Sequence, residues 1–93
     1  MKGIQAKTVV ISGALGGIGR AIIQAFDPYH VKFLLLDVVE PDSQFLNTLQ
    51  SQVDYLQVDL SSVAEVERWG QQLIQTQSQV DFIIHAAGVY QHI

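Results

Sequence analysis

Residues 8–20 run Thr8-Val9-Val10-Ile11-Ser12-Gly13-Ala14-Leu15-Gly16-Gly17-Ile18-Gly19-Arg20. The first four are β-branched and stop abruptly at Ser12-Gly13, as a short buried strand does. From Gly17 onward Ile18, Ala21, Ile22 and Ala25 share one helical stripe, and Asp27-Pro28 ends it. The stretch is therefore a strand, a glycine turn and a helix. A helix N-terminus carries unpaired N–H groups and a partial positive charge, so it attracts pyrophosphate. The turn must be sharp and the backbone must come close to the phosphates; a Cβ obstructs both. Gly19, one turn inside the helix, is expected to permit close helix–strand packing.

The same pattern repeats downstream. Residues 31–37 read VKFLLLD, residues 53–59 read VDYLQVD, and residues 80–85 read VDFIIH followed by Ala86-Ala87-Gly88. Near-continuous apolar runs suit strands of a parallel sheet covered on both faces. Between them, residues 42–51 place Phe45, Leu46 and Leu49 at helical spacing behind Pro41. Ser62-Val63-Ala64-Glu65 has the form of a capping box. Behind it Val63, Val66, Gly70, Leu73 and Ile74 form an apolar stripe with Trp69 at its edge. Gly70 is expected to allow close helix–sheet packing. The order is β-α-β-α-β-α-β. Right-handed crossovers make this a Rossmann-type, doubly wound α/β sheet of four parallel strands in the order 3-2-1-4, with helices on both faces.

Asp37 closes the second strand, 18 residues after Gly19. A carboxylate there accepts the hydroxyls of an adenosine ribose and repels a 2′-phosphate. No Lys or Arg lies in the loop before Arg20, and Val38-Val39-Glu40 adds none. The charge argument favours NAD over NADP. The opposing reading at each point is a ligand-free glycine turn and a solvated strand-end aspartate.

The glycine spacing Ser12-Gly13-x-x-x-Gly17-Ile18-Gly19 resembles the Thr-Gly-x-x-x-Gly-x-Gly of the short-chain dehydrogenase/reductase family, with Ser for Thr. Val58-Asp59-Leu60-Ser61 resembles that family's Asp-Val/Leu pair after the third strand. His85-Ala86-Ala87-Gly88 resembles its Asn-Asn-Ala-Gly after the fourth, with both asparagines replaced. The resemblance covers residues 7–90, with four motifs in order. It implies a cofactor site formed by Gly13, Ala14, Gly17, Ile18 and Gly19 at the pyrophosphate and Asp37 at the ribose. Asp59 and Leu60 would meet the adenine, and Ala86, Ala87 and Gly88 would line the nearby wall. His85, a lone histidine at a strand end, is read as a structural hydrogen-bonding residue.

In that family a tyrosine, a lysine four residues later and a serine carry the acid–base chemistry. Here Tyr29 is followed at that spacing by Phe33 and Tyr55 by Asp59, and the lysines are Lys2, Lys7 and Lys32. The 93 residues are thus expected to form one truncated dinucleotide-binding domain, inactive as a dehydrogenase by itself. The alternative is a non-catalytic dinucleotide-binding or regulatory module. A Ser and a Tyr-x-x-x-Lys encoded in frame downstream would favour the enzyme, and a stop codon the module.

Composition narrows the classes. Hydrophobic residues make up 48% and charged residues 15%, which suits a packed globule. The net charge of −4 gives nucleic acid no basic face to meet. There is no cysteine, and His30, His85 and His92 lack metal-ligand spacing, so no metal is expected. No apolar run approaches the ~20 residues of a membrane span, and no leader-like segment opens the chain; the cytoplasm is the expected compartment. Tyr90 and His92 are read as a frayed end. The fourth strand would leave an open hydrophobic edge, so the chain is expected to dimerise or form a higher oligomer over it. A monomer with that edge bare to solvent would count against this.

Overall fold

Four parallel strands assemble in the order β3-β2-β1-β4 in the computed structural model, which describes residues 7–59, 61–76 and 80–86. They are β1 (Thr8–Ser12), β2 (Lys32–Asp37), β3 (Gln52–Gln57) and β4 (Phe82–His85). Three helices connect them: α1 (Gly17–Phe26), α2 (Ser43–Leu46) and α3 (Val63–Thr76). The expected doubly wound order is the one found. Register is continuous across the sheet: Ile11 pairs with Leu35 and Ile84, and Leu35 with Tyr55.

Central position explains β1. It lies between β2 and β4 and buries all five residues. Side chains alternate between the two faces. On one face Val9, Ile11, Phe33 and Leu35 pack with Ile23 of α1, and Ile22, Phe26, Phe45, Leu46 and Leu49 close over them. On the other, Val10, Leu36 and Val58 pack with Leu34, Leu56, Val80 and Trp69 of α3. Each fully buried Phe or Leu of this kind contributes roughly 1.5–3 kcal/mol by leaving water. At the sheet's edge the phenyl rings of Phe26 and Phe82 meet at 5.9 Å. Ile83 on the opposite face of β4 is 55% exposed, and among the described residues β4 pairs only with β1.

The second helix is shorter than expected. Residues 42–51 carry the anticipated apolar spacing, but α2 closes after one turn at Leu46. Thr48 and Leu49 donate to the carbonyls of Phe45 and Leu46, three residues back. The amides of Gln50 and Ser51 then leave the helical pattern altogether. Both donate to the carboxylate of Asp27, at 2.8–3.0 Å. Asp27 is only 7% exposed. A tertiary acceptor on the preceding turn has replaced the helix's own carbonyls.

Two local expectations about α3 need correction. Glu65 does not complete a reciprocal capping box. Ser62 Oγ accepts from the Glu65 amide at 3.4 Å, but Glu65 Oε1 reaches past Ser62 to the amide of Asp59, at 3.3 Å. Gly70 does not serve close packing either, because a Cβ there would meet nothing within 4 Å. The stripe expected from Val63, Val66, Leu73 and Ile74 lies outside the described side chains. Since Gly70 sits mid-helix in open space, Gly70→Ala should remove backbone freedom from the unfolded chain at no steric cost. We expect stabilisation of about 0.5–1 kcal/mol, read as a rise in Tm of about 4 °C. A flat or lowered Tm would mean that the helix face is covered by something else.

Candidate functional site

The glycine loop turns where the chain must reverse between β1 and α1. Gly13 takes φ 67°, the left-handed region that other residues enter at a cost. The Ala14 amide donates to Leu36 O at 3.1 Å, which lashes the loop to the end of β2. Gly19 lies directly beneath this turn. A Cβ on it would strike the carbonyl oxygens of Gly13 and Ala14, the latter at 2.6 Å. The close approach expected of Gly19 is therefore real, but its partner is the loop rather than the strand. Gly16 stands at the N-cap of α1 in extended conformation and has no side chain with which to cap the helix, and the first turn holds no acidic residue. The head of α1 carries the partial positive charge of a helix N-terminus, the kind of place where anions are favoured.

Asp37 faces that loop across the gap between β1 and β2. Its Oδ2 accepts from the Leu15 amide at 2.9 Å, and its Oδ1 from the Val38 amide at 2.7 Å. A carboxylate offers about four acceptor positions. Two backbone amides take two of them and fix the plane of the group; the others remain for hydroxyl donors. The chain after Asp37 is held from β3. Tyr55 Oη donates to Val39 O at 2.6 Å and Gln57 Nε2 to Val38 O at 3.2 Å. Partial burial, and then the nearby Asp37 carboxylate, push the Tyr55 phenol up to about 12, so it stays a donor through the physiological range.

Beside this segment an open cleft of about 290 Å³ is lined by Val38, Gln57, Val58, Asp59 and Glu65. Val38 and Val58 give it an apolar side, and Asp59 and Glu65 an acidic one. Asp59 Oδ1 accepts from the Ser61 hydroxyl at 2.6 Å and the Ser61 amide at 2.9 Å. These two bonds, the hydroxyl first, hold the Asp59 carboxyl below the usual carboxylate range.

The structure thus brings Gly13, Ala14, Gly17, Ile18, Gly19, Asp37 and Asp59 to the carboxyl ends of β1, β2 and β3. The methyl groups of Ala14 and Ala86 are spent on the core, at 0% and 2% exposure. Leu60, Ala87 and Gly88 lie outside the described residues, as do Tyr90 and His92. His85 Nδ1 lies 3.1 Å from Ser12 Oγ, joining the ends of β4 and β1 as the structural reading expects. Sequence reasoning did not single out Val38, Gln57 and Glu65 as cleft residues. Their signal was position: each lies one to six residues from Asp37 or Asp59, on the same sheet edge. Among the described residues no cluster of His, Asp and Glu is arranged to hold a metal ion, and no helix is long and apolar enough to cross a membrane.

Comparison with known proteins fits this geometry. The model of the family described as short chain dehydrogenase matches residues 7–93. The chain belongs to this family. An uncharacterized oxidoreductase of Schizosaccharomyces pombe is 29% identical over 86 residues, which are 92% of this chain and 31% of that protein. The crystal structure of an NADH-dependent reductase, A1-R′, complexed with NAD superposes with a TM-score of 0.79 at 21% identity. It covers 90% of this chain and 37% of its own. A short chain dehydrogenase/reductase from Burkholderia phymatum, in complex with NAD, gives 0.71 at 26% identity, over 89% of this chain and 31% of its own. The chain therefore spans about a third of the length of these relatives.

Proposed function

We propose that these residues are the dinucleotide-binding portion of an NAD-dependent short chain dehydrogenase/reductase. The complete enzyme would move hydride between NAD and an alcohol or carbonyl substrate. One observation carries the reading: the Leu15–Asp37 hydrogen bond joins the glycine loop at the head of α1 to an acceptor carboxylate. A pyrophosphate at Gly13, Gly17, Ile18 and Gly19 would place the adjoining ribose against Asp37. The cleft at Val38, Val58 and Asp59 lies on the adenine side, with Leu60, Ala86, Ala87 and Gly88 completing the assigned set. The Burkholderia phymatum short chain dehydrogenase/reductase, 26% identical, is a complex with NAD, which supports the cofactor class. The preference for NAD over NADP rests on Asp37 and on the lack of a cation after it. The bound cofactor supplies the hydride acceptor; the residues here supply binding and orientation. No Tyr-x-x-x-Lys pair occurs among the 93 residues, so they are expected to bind without turnover. Among the described residues β4 pairs only with β1 and Ile83 is largely exposed, which supports pairing with a second copy.

Calorimetric titration tests the cofactor assignment. NAD should bind more tightly than NADP. Asp37→Ala should weaken NAD about 100-fold, because hydrogen bonds to a charged acceptor contribute roughly 1.5–3 kcal/mol each, and should narrow the margin over NADP. No heat and no melting shift at millimolar NAD would refute the assignment. Alcohol-dependent NAD reduction by these 93 residues would refute the expected inactivity.

A further inference from the structure

The Leu15 peptide at the apex of the glycine loop is gripped from both sides. Its amide donates to Asp37 Oδ2, and its carbonyl accepts from Arg20 Nε at 2.9 Å. The Arg20 guanidinium is committed beyond that bond. Its Nη2 lies 3.0 Å from Asp42 Oδ2, and its carbon sits 4.7 Å from the centroid of the Phe45 ring. Asp42 is itself fixed, because its Oδ1 caps α2 by accepting the Phe45 amide at 3.1 Å. That amide first, and then Arg20, hold the Asp42 carboxyl below its usual range. The Arg20 amide closes the first turn of α1 on Gly16 O at 2.9 Å. One planar side chain thus ties the start of α1, the loop apex and the cap of α2 together.

We propose that Arg20 is a positioning residue for the cofactor. Through Leu15 it locks the phosphate loop and the Asp37 carboxylate into one preformed receptor, without itself contacting phosphate. This rests on the dinucleotide reading above. An arginine so close to a phosphate site invites the opposite assignment, that of a direct anion ligand. The geometry argues against it, since Nε, Nη2 and the guanidinium face are turned to Leu15, Asp42 and Phe45. The ion pair is about a third exposed on both sides, and such pairs add little to global stability. The effect of the tether should therefore appear in binding. Releasing the loop apex leaves about one residue's backbone to be ordered by the ligand, which corresponds to about tenfold in affinity.

Two substitutions in the full chain separate the assignments. Arg20→Lys keeps the charge but has no fork to serve Leu15 and Asp42 together. Asp42→Asn keeps an oxygen to cap α2 and removes the charged anchor. Both variants should melt near the wild type, bind NAD about tenfold more weakly, and exchange the Leu15 amide faster in the absence of cofactor. If Arg20 were a phosphate ligand, Asp42→Asn would free it, and NAD binding would tighten or stay unchanged; either result overturns the inference. So does an unchanged Leu15 amide in both variants. Wild-type protein that fails to bind NAD overturns the dinucleotide reading and the positioning role with it. Wild-type binding with unaffected variants overturns the positioning role alone.

Discussion

Gly19→Ala should collapse the glycine loop and cost the proposed NAD binding about 100-fold or more, while destabilising the fold by about 3 kcal/mol. The added methyl meets only backbone: Gly13 O, Ala14 O and the Ala14 carbonyl carbon. No flexible side chain can swing aside, so the loop itself must move. Yet the loop is anchored at Leu36 O through Ala14 and at Asp37 through Leu15. Displacing it breaks those bonds and misaligns the amides at the head of α1 with respect to the Asp37 carboxylate. Urea denaturation and calorimetry on the same preparation measure both effects. The contrast with Gly70→Ala makes the test internal. The same chemical change should stabilise α3, where the methyl meets open space, and destabilise α1, where it meets a packed turn. Near-wild-type affinity in Gly19→Ala would sink the close-approach argument.

Asp27→Ala should be the most destabilising change remote from the candidate site, by about 3 kcal/mol. The Asp27 carboxylate is the acceptor for the Gln50 and Ser51 amides, and its backbone carbonyl accepts from Ser51 Oγ at 3.0 Å. Ser51 Oγ in turn accepts the Val31 amide at 3.1 Å. The junctions leading into β2 and β3 therefore hang from one residue. Alanine leaves the Ser51 amide buried without its acceptor, and the glycine loop lies at the other end of the sheet. Stability should fall while the NAD affinity of the remaining folded protein stays within about threefold of wild type. Asp27→Asn keeps one oxygen for the Ser51 amide and should lose roughly half as much. Equal losses for Asn and Ala would show that charge, rather than acceptor geometry, holds the junction.

The two central strands, β1 and β2, were legible in the sequence because both of their faces are largely buried. A residue such as Leu35 or Leu36 has no solvent side to serve, so the run is apolar throughout and its ends are sharp. The strand order was legible because handedness leaves few windings for four parallel strands. The glycine loop was legible because its requirements are local: a left-handed φ at Gly13 and a tight turn into a helix. Residues 42–51 misled for the same reason that the loop did not. Their apolar spacing is helical, and Phe45, Leu46 and Leu49 do face the core. What ends α2 is Asp27, which lies more than twenty residues from the amides it takes. Arg20 was similarly illegible as a tether, since its partner Asp42 becomes a neighbour only once β2 has paired with β1.

The chain's own pattern determined the doubly wound sheet, the place of the phosphate-type turn and the acidic group facing it. Those depend on burial periodicity, backbone freedom and charge along a few consecutive residues. Tertiary structure decided that Leu15 is held by Asp37 and Arg20, that Glu65 reaches Asp59, and that the cleft is walled by Val38 and Val58. Hydrogen bonds between distant segments follow from where the sheet sets its strand ends, and no local spacing encodes that distance.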